Sequence, residues 1–247
     1  MTQSMLSPSL LSFDVFGTLV DVRAGSYGAF RAILRECGAL NVDVKAFWEH
    51  WEERNIAHYW EPYRSYKDIC ALSLAETLHR YQVRGDPALI RHYFGAFANF
   101  EVFPDVMPAL DALSRKYRLA LVSNIDDDLL DQTPLNRAFG LHCTAQRARG
   151  YKPDGTLFQY LIAHAGVPKR AILHSGQSQF TDMVGAKPLG LTVAWINRRG
   201  VALHESVPRP DFTLRGVGDL LPLLETGVTG GYPSSANEPY VGRPARW

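Results

Sequence analysis

Cysteine is scarce in this sequence of 247 residues. Only three cysteines occur, Cys37, Cys70 and Cys143, and they are widely spaced. Their odd number and the lack of a CxxC or zinc-type spacing argue against a disulfide framework and against a zinc site. We therefore expect reduced thiols that pack in the interior of a cytoplasmic protein.

The sequence also lacks an excess of charge and a long apolar run. Lys and Arg total 26 against 25 Asp and Glu, a formal net charge of +1. This balance gives no basic surface for nucleic acid or for an anionic membrane. No apolar run approaches the ~18 residues that span a bilayer. Because no Lys or Arg precedes Arg23, we also expect no secretory signal.

The sequence does contain short apolar runs that end in polar or turn residues. Runs of this kind are typical of strands buried on both faces of a parallel sheet. Amphipathic stretches at 106–117 and 157–165 favour helices between them, as in βαβ units. The sequence therefore predicts an α/β fold. Its candidate strands are 9–14, 119–124, 171–176 and 191–196.

A long helical stretch separates the first candidate strand from the others. Helical periodicity covers 27–37, 44–60, 65–81 and 87–97, and glycine or proline residues interrupt it where helices should end. We predict a core formed by residues 1–22 and 100–228. A helical insertion would occupy 23–99, and 229–247 would form an irregular tail rich in Gly, Pro and Ser.

Polar side chains follow the candidate strands at the edge where a parallel sheet binds its ligands. Taken singly, each has an ordinary explanation as a turn residue, a helix cap or a surface charge. Their joint occurrence at one edge predicts an active site. The residues are Asp14, Ser123, Asn124, Lys152, Gln177, Ser178 and Asp182.

These residues occur in an order that resembles the four motifs of the haloacid dehalogenase superfamily, and most closely its 2-haloacid dehalogenase (type II) branch. The resemblance implies a Rossmann-like core with a five-stranded parallel sheet and an inserted α-helical cap domain. It also agrees with the helical stretch identified from periodicity alone. The matching segments are Asp14-Val15-Phe16-Gly17-Thr18-Leu19, Ser123-Asn124, Tyr151-Lys152-Pro153-Asp154, and Gly176-Gln177-Ser178 with Asp182.

The resemblance assigns the catalytic roles. Asp14 would attack carbon and form an ester that water then hydrolyses. Lys152 would keep Asp14 ionised, because a nearby opposite charge lowers a carboxyl pKa. Asp182, with Ser178 beside it, would position or deprotonate the water. Because the role of Lys152 is electrostatic, we expect Lys152→Ala to lose rate with little loss of stability.

The same resemblance assigns the substrate contacts. Ser123 and Asn124 would donate hydrogen bonds to the substrate carboxylate or to the nucleophile, and Asn124 would also face the leaving halide. Phe16 and Gln177 would lie beside them. His174, at a strand end, is expected to be a hydrogen-bonded core residue.

Two positions depart from the phosphatases of the superfamily. Phe16 replaces the Asp that protonates a departing alkoxide, and Gln177 replaces an Asp that helps hold magnesium. A missing general acid forfeits roughly 10²–10⁴-fold in rate, whereas a halide ion leaves without a proton. The substitutions therefore favour displacement of halide from carbon with no metal and no cofactor.

The acidic run at 126–128 makes the expected site mouth more negative, although acids at a helix start also favour the helix dipole. An anionic substrate then requires a cation from the cap. The dehalogenases supply an arginine there, and the candidates are Arg54 and Arg64. Arg54 shares its helix with the aromatic residues Trp48, Trp51 and Tyr59.

We therefore expect a metal-independent hydrolase that displaces a leaving group, foremost a halide, from the α-carbon of a small carboxylic acid. The sequence leaves open a different carbon–heteroatom bond, for example in a strained cyclic amino acid. It also leaves open a magnesium-dependent phosphatase of small metabolites and a binding protein without activity. The expected partner is a small carboxylate, with neither nucleic acid nor membrane, and homodimer formation is one option.

Overall fold

A computed structural model describes residues 7–135 and 139–225 of the chain. Its centre is a six-stranded sheet in the order β5-β4-β1-β6-β7-β8, and every pairing in that sheet is parallel. The predicted α/β fold is confirmed. The strands are β1 (Leu10–Phe13), β2 (Val20–Asp21), β3 (Glu101–Val102), β4 (Arg118–Ser123), β5 (Leu141–Thr144), β6 (Ile172–Gly176), β7 (Thr192–Ile196) and β8 (Phe212–Leu214).

The four predicted strands are the four central ones, β4, β1, β6 and β7. The resemblance implied five strands, and the described residues contain six in this sheet, so that count is wrong. The sequence did not predict β5 or β8, because these edge strands are only three or four residues long and partly exposed. An edge strand needs no continuous apolar run, since it is covered less completely than a central strand.

The sheet register brings the candidate residues to one edge. Phe13 at the end of β1 lies opposite Leu121 of β4 and Ser175 of β6. Because these strands are parallel, the residues that follow them emerge on the same side. The ten helices of the described chain are α1 (Arg23–Glu36), α2 (Val44–His58), α3 (Tyr66–Arg80), α4 (Arg91–Phe94), α5 (Val106–Leu113), α6 (Asp127–Leu130), α7 (Ala145–Ala148), α8 (Thr156–His164), α9 (Val184–Ala186) and α10 (Leu220–Glu225).

Residues 23–99 are helical, as the periodicity predicted. The antiparallel pair β2 and β3 flanks this helical region, α1 to α4 lie inside it, and 3₁₀ turns cover Pro87–Ile90 and Phe97–Asn99. Asp43 caps α2 by accepting a hydrogen bond from Ala46 N, and Ser65 caps α3 by accepting one from Asp68 N. That this region is a separate cap domain, with the boundaries given above, stays a prediction.

Two further expectations concern the cysteines and the lack of a membrane-spanning segment. Cys70 and Cys143 are buried, Cys37 is half-buried, and all three are free thiols. In the described part of the chain, no helix has both the length and the apolar character that a membrane crossing requires. The predicted tail at 229–247 lies outside the described residues.

Candidate active site

A cavity of about 530 Å³ lies between the carboxyl ends of the central strands and the helical region. Asp14 and Lys152 contribute to its floor, and α2 contributes a line of side chains to its wall. Polar groups gathered at the carboxyl edge of a parallel sheet are the usual setting of an α/β active site. The predicted site residues that line the cavity are Asp14, Phe16, Ser123, Asn124, Lys152, Gln177 and Ser178.

Lys152 joins two carboxylates inside the protein. Its Nζ atom lies 2.7 Å from Asp14 Oδ1 and 2.8 Å from Asp182 Oδ1, and it also donates to Val122 O at 3.0 Å. The exposed fractions are 7% for Asp14, 1% for Lys152 and 0% for Asp182. One ammonium therefore partners two carboxylates where water is nearly excluded, which strengthens both interactions.

The proton equilibria of this cluster follow from burial and charge. Burial raises the pKa of Asp14 above its ordinary value, and Lys152 opposes that shift. Burial alone would lower the pKa of Lys152, but the two carboxylates outweigh it and raise that pKa. Burial would likewise raise the pKa of Asp182, yet Lys152 and His174 bring it down to about 2. Lys152 and Asp182 are consequently held in their charged forms.

The second oxygen of Asp14 is fixed by the turn that follows β1. Thr18 Oγ1 donates to Asp14 Oδ2 at 2.7 Å, and Gln177 N donates to Thr18 Oγ1 at 2.9 Å. Gly17 in this turn has φ +79°, and a Cβ there would lie 2.9 Å from the Gln177 side chain. Arg198 donates from two nitrogens to Thr18 O, at 3.1 and 2.9 Å. The turn therefore supplies one fixed donor to the Asp14 carboxylate, Thr18, and Lys152 supplies the other.

Asn124 holds the backbone of Lys152 in place. Its Nδ2 donates to Lys152 O, and its Oδ1 accepts from Lys152 N, both at 2.8 Å. Both polar ends of this amide are thus engaged with the protein, although Asn124 also lines the cavity. Ser123 is different, because its buried Oγ has no hydrogen-bond partner among the described residues and it lines the cavity. The protein therefore does not use this hydroxyl within the described residues.

Asp182 lies behind Lys152 rather than in the cavity wall. Its Oδ2 accepts from Ser178 N at 3.0 Å, and His174 Nε2 lies 3.3 Å from its Oδ1. Gly176 allows this approach, since a Cβ there would collide with the Asp182 carboxylate. His174 also contacts Ser12 Oγ through Nδ1 at 3.0 Å, and it is completely buried. His174 is therefore a hydrogen-bonded core residue, as expected, and it helps to orient Asp182.

Three further predicted residues line the cavity. Gln177 and Ser178 belong to the loop after β6, and Phe16 packs against aromatic rings of the helical region. Ser178 Oγ accepts from Thr181 N at 3.2 Å and caps the turn that carries Asp182. Gln177 O accepts from Trp195 Nε1 at 3.0 Å. Phe16 contacts aromatic rings of the helical region, with its ring centroid 5.5 Å from that of Phe97.

The two candidate arginines are not brought to the cavity, and their expected positions need correction. Arg54 Nε lies 2.6 Å from Glu76 Oε2, and the residue lines a different surface pocket. Arg64 is exposed beside the acidic run, again outside the cavity. One residue turns a helix by about 100°, so the side chain that faces the cavity on this turn of α2 is Asn55 rather than Arg54.

The sequence reasoning missed five charged residues of the cavity wall, and two of them are Asp21 and Arg198. Glu52 of α2, Arg23 at the start of α1 and Arg199 after β7 all line it. A signal for Glu52 was present, because it follows Trp48 by four residues and so shares its helix face. Arg23 and Arg199 carried no such signal, since only the tertiary fold brings them to α2.

The acidic run is accounted for by contacts outside the cavity. Asp126 accepts from Tyr66 N at 3.0 Å and from Lys67 N at 3.1 Å, at the first turn of α3. Asp127 pairs with Arg147, and Asp128 pairs with Lys67. These carboxylates therefore connect a core loop to a neighbouring helix and to the helical region.

A magnesium ion does not fit the residues at the floor of the cavity. Lys152 Nζ already bonds the Oδ1 atoms of both Asp14 and Asp182. Positions 16 and 177 supply a phenyl ring and a carboxamide rather than carboxylates. Mg²⁺ requires near-octahedral oxygen ligands with one or two free carboxylates, which this arrangement does not offer.

Residues 8–190 match the model of a family described as haloacid dehalogenase-like hydrolases. The chain is 26% identical over 214 residues to haloacetate dehalogenase H-2 of Moraxella sp. (strain B), covering 83% of this chain and 92% of the relative. The match takes in every predicted site residue, from Asp14 to Asp182.

The fold is shared with solved structures. The L-2-haloacid dehalogenase of Xanthobacter autotrophicus has a TM-score of 0.76 and 21% identity, covering 89% of this chain and 99% of that one. A putative HAD-hydrolase of Bacillus subtilis, YfnB, bound to magnesium, has a TM-score of 0.74 and 18% identity, with 89% and 99% covered. The chain belongs to the haloacid dehalogenase-like hydrolase family. Its particular reaction has to be argued from its own site.

Proposed function

We propose that this hydrolase displaces a halide from the α-carbon of a small carboxylic acid through an ester on Asp14. The observation that carries the proposal is Lys152 Nζ, which lies between Asp14 and Asp182 at the cavity floor. An ammonium in that position supports a carboxylate nucleophile. The relatives named dehalogenases support the substrate class.

Asp14 has the geometry of a nucleophile. Lys152 and Thr18 each bond one of its oxygens, and the carboxylate borders the cavity with 7% of the residue exposed. A carboxylate held this way attacks better than one in water, because fixed donors replace its mobile hydration shell. One oxygen of Asp14 would form a bond to the α-carbon as the halide leaves with the electron pair of the carbon–halogen bond.

Hydrolysis of the ester would regenerate Asp14. Water attacks the carbonyl carbon of the ester, the 2-hydroxy acid departs, and one proton passes to solvent. Asp182 stands too deep to contact that water directly, because it is completely buried behind Lys152. Its proposed role is to keep Lys152 charged and in position. The unpartnered Ser123 hydroxyl is a candidate donor to the substrate carboxylate.

The competing phosphatase reaction has weaker support. Phe16 cannot donate a proton to an alkoxide, and its ring packs near Phe97 rather than leaving space for an acid. A halide needs no proton, so its departure suits this environment. We further propose that residues 23–99 act as a cap that excludes water from the cavity during the displacement.

The test is halide release from 2-chloropropionate by the wild-type protein and by Asp14→Asn, with phosphate release from phosphate esters measured alongside. We expect wild-type halide release that persists in a chelator, and none from the variant. In oxygen-18 water, a single turnover should place the label on Asp14 before it reaches the product. Undiminished halide release by Asp14→Asn, or magnesium-dependent phosphate release alone, would contradict the proposal.

A further inference from the structure

The cavity that Asp14 borders has, in its α2 wall, a carboxylate that the proposed reaction does not use. Along α2, the side chains that line the cavity recur every three or four residues, as one helix face requires. Glu52 stands in the middle of this face, which is otherwise aromatic, aliphatic or amide in character. The face consists of Trp48, Trp51, Glu52, Asn55, Ile56 and Tyr59.

Glu52 is half-buried and lacks a direct partner. Within residues 7–135 and 139–225, no hydrogen bond and no ion pair reaches its carboxylate. Burial raises its pKa to about 7, although Arg23 and Arg199 act against that shift. A carboxylate held partly out of water without a partner costs free energy that an apolar residue would not. A carboxylate at this position therefore does not stabilise the fold.

The cationic groups nearby are also free to accept a ligand. Arg23 and Arg199 line the same cavity, and neither forms an ion pair with Glu52 within the described chain. The Arg23 guanidinium lies 5.9 Å from the centroid of the Trp48 ring. Arg198, in contrast, is engaged with Asp105 at 2.9 Å. Within the described residues, the wall therefore presents the two arginines and the Glu52 carboxyl group to whatever enters, and Asp21 lines the same cavity.

A simple haloacid matches only part of this arrangement. Its carboxylate could bind the arginines, but Glu52 would then repel it or stay unpaired. A molecule with both a carboxylate and an ammonium group would satisfy both signs of charge. Hydrogen bonds between oppositely charged groups are also roughly twice as strong as neutral ones.

We propose that Glu52 binds an ammonium group of the substrate, so that the site acts on a small amino acid whose leaving group is next to its carboxylate. Arg23 and Arg199 bind the carboxylate. This inference rests on the proposed function for the reaction at Asp14. With 3-amino-2-chloropropionate, Asp14 would bond to C2 as chloride leaves with its electron pair. Water would then release 3-amino-2-hydroxypropionate, with one proton passing to solvent.

The test compares ligands that differ only in the ammonium group. For turnover, these are 3-amino-2-chloropropionate and 2-chloropropionate; for binding by calorimetry, β-alanine and propionate. The variant is Glu52→Gln, which keeps the size and removes the charge. Glu53→Gln is the matched control, because Glu53 is the next residue of α2 but is exposed and lies outside the cavity.

We expect the wild-type protein to prefer the amino ligand in both assays. A hydrogen bond between charged groups contributes about 1.5–3 kcal/mol. Glu52→Gln should therefore lower kcat/KM and affinity for the amino ligand roughly 10–100-fold. The preference for the amino ligand over the ligand without the ammonium should fall by the same factor, whereas Glu53→Gln should behave like the wild type.

Two results would overturn the inference. One is equal binding of β-alanine and propionate by the wild-type protein. The other is a Glu52→Gln variant that weakens both ligands alike, as expected if a protonated Glu52 merely donates to the carboxylate. Failure of the proposed function is distinguishable, since it would abolish halide release from both chloro acids while the binding comparison still reports on Glu52.

Discussion

At the scale of single residues, the proposed reaction depends on one ammonium shared by two carboxylates. Lys152 is almost completely buried, and Asp14 and Asp182 both depend on it for their charge balance. Removing one partner of a buried ion pair leaves an uncompensated charge, which is far more costly than losing a surface pair. Because Lys152 is buried between two carboxylates, we now expect Lys152→Ala to lower stability substantially, in contrast to the expectation from sequence.

We predict that Lys152→Met lowers the free energy of unfolding by about 3–5 kcal/mol, because two adjacent carboxylates lose their counter-charge. Halide release should fall by roughly 10²–10³-fold, as when one electrostatic donor is removed from an active site. Urea denaturation and a halide assay measure the two effects.

The matched control is Lys187→Met, since Lys187 is also paired with a carboxylate, Asp211 at 2.7 Å, but lies outside the cavity. We expect its rate of halide release to equal that of the wild type. A Lys152→Met protein with normal rate and stability would show that the ammonium is dispensable.

At the scale of secondary-structure elements, the position of the helical region over the sheet depends on contacts between loops and helix ends. Asp126 follows β4 and is 2% exposed, yet its carboxylate accepts from the first amides of α3, Tyr66 N and Lys67 N. Free amides at a helix start bind a carboxylate well, and the helix dipole adds to the attraction. One side chain of a core loop thereby fixes the entry of a helix of the other region.

We predict that Asp126→Ala lowers the free energy of unfolding by about 2 kcal/mol, because the amides of α3 lose their acceptor. The control is Asp128→Ala, whose exposed pair with Lys67 should contribute no more than about 1 kcal/mol. Denaturant unfolding of the two variants provides the comparison. Equal losses would mean that the acidic run acts only through its net charge.

At the scale of the whole molecule, acid stability depends on carboxylates that are partnered in the folded state. A carboxyl whose folded pKa lies below its unfolded value stabilises the protein above the unfolded value, and this stabilisation is lost as pH falls through the folded one. The pKa of Asp182 is about 2 against an ordinary 3.8. The pKa values of Asp105 and Asp127 are also lowered, because Arg198 and Arg147 with their other donors outweigh the effect of burial.

We predict that the wild-type protein loses stability progressively as pH falls from about 4 toward 2, with Asp182 accounting for about 2 kcal/mol of the loss. Unfolding free energies at a series of pH values measure it. Asp182→Asn should be less stable than the wild type at neutral pH and should show a flatter decline. If the unfolding free energy of Asp182→Asn fell with pH as steeply as that of the wild type, groups other than Asp182 would account for the acid sensitivity.

Location in the cytoplasm and homodimer formation remain predictions at this scale. The described surface has few exposed large apolar side chains, Leu40 and Val201. Light scattering at several protein concentrations would determine the oligomeric state.

The sequence by itself determined the parts of this protein that depend on neighbouring residues. Continuous apolar runs specified the central strands, and a period of 3.6 residues specified the helices of 23–99, because both patterns result from burial of adjacent side chains. The motif order also specified Asp14 and Lys152 as a pair. The edge strands were not predictable, since partial exposure leaves them without a distinctive pattern.

Only the tertiary structure decided which charged side chains line the cavity. Whether Arg54 or Glu52 faces the cavity depends on the rotation of α2, which packing sets and composition does not. Arg23 and Arg199 are 176 positions apart in the sequence, and long-range folding alone brings them to one wall. The proposed nucleophile could therefore be predicted from local sequence, whereas the charges that line the cavity around it arise from the packing of distant elements.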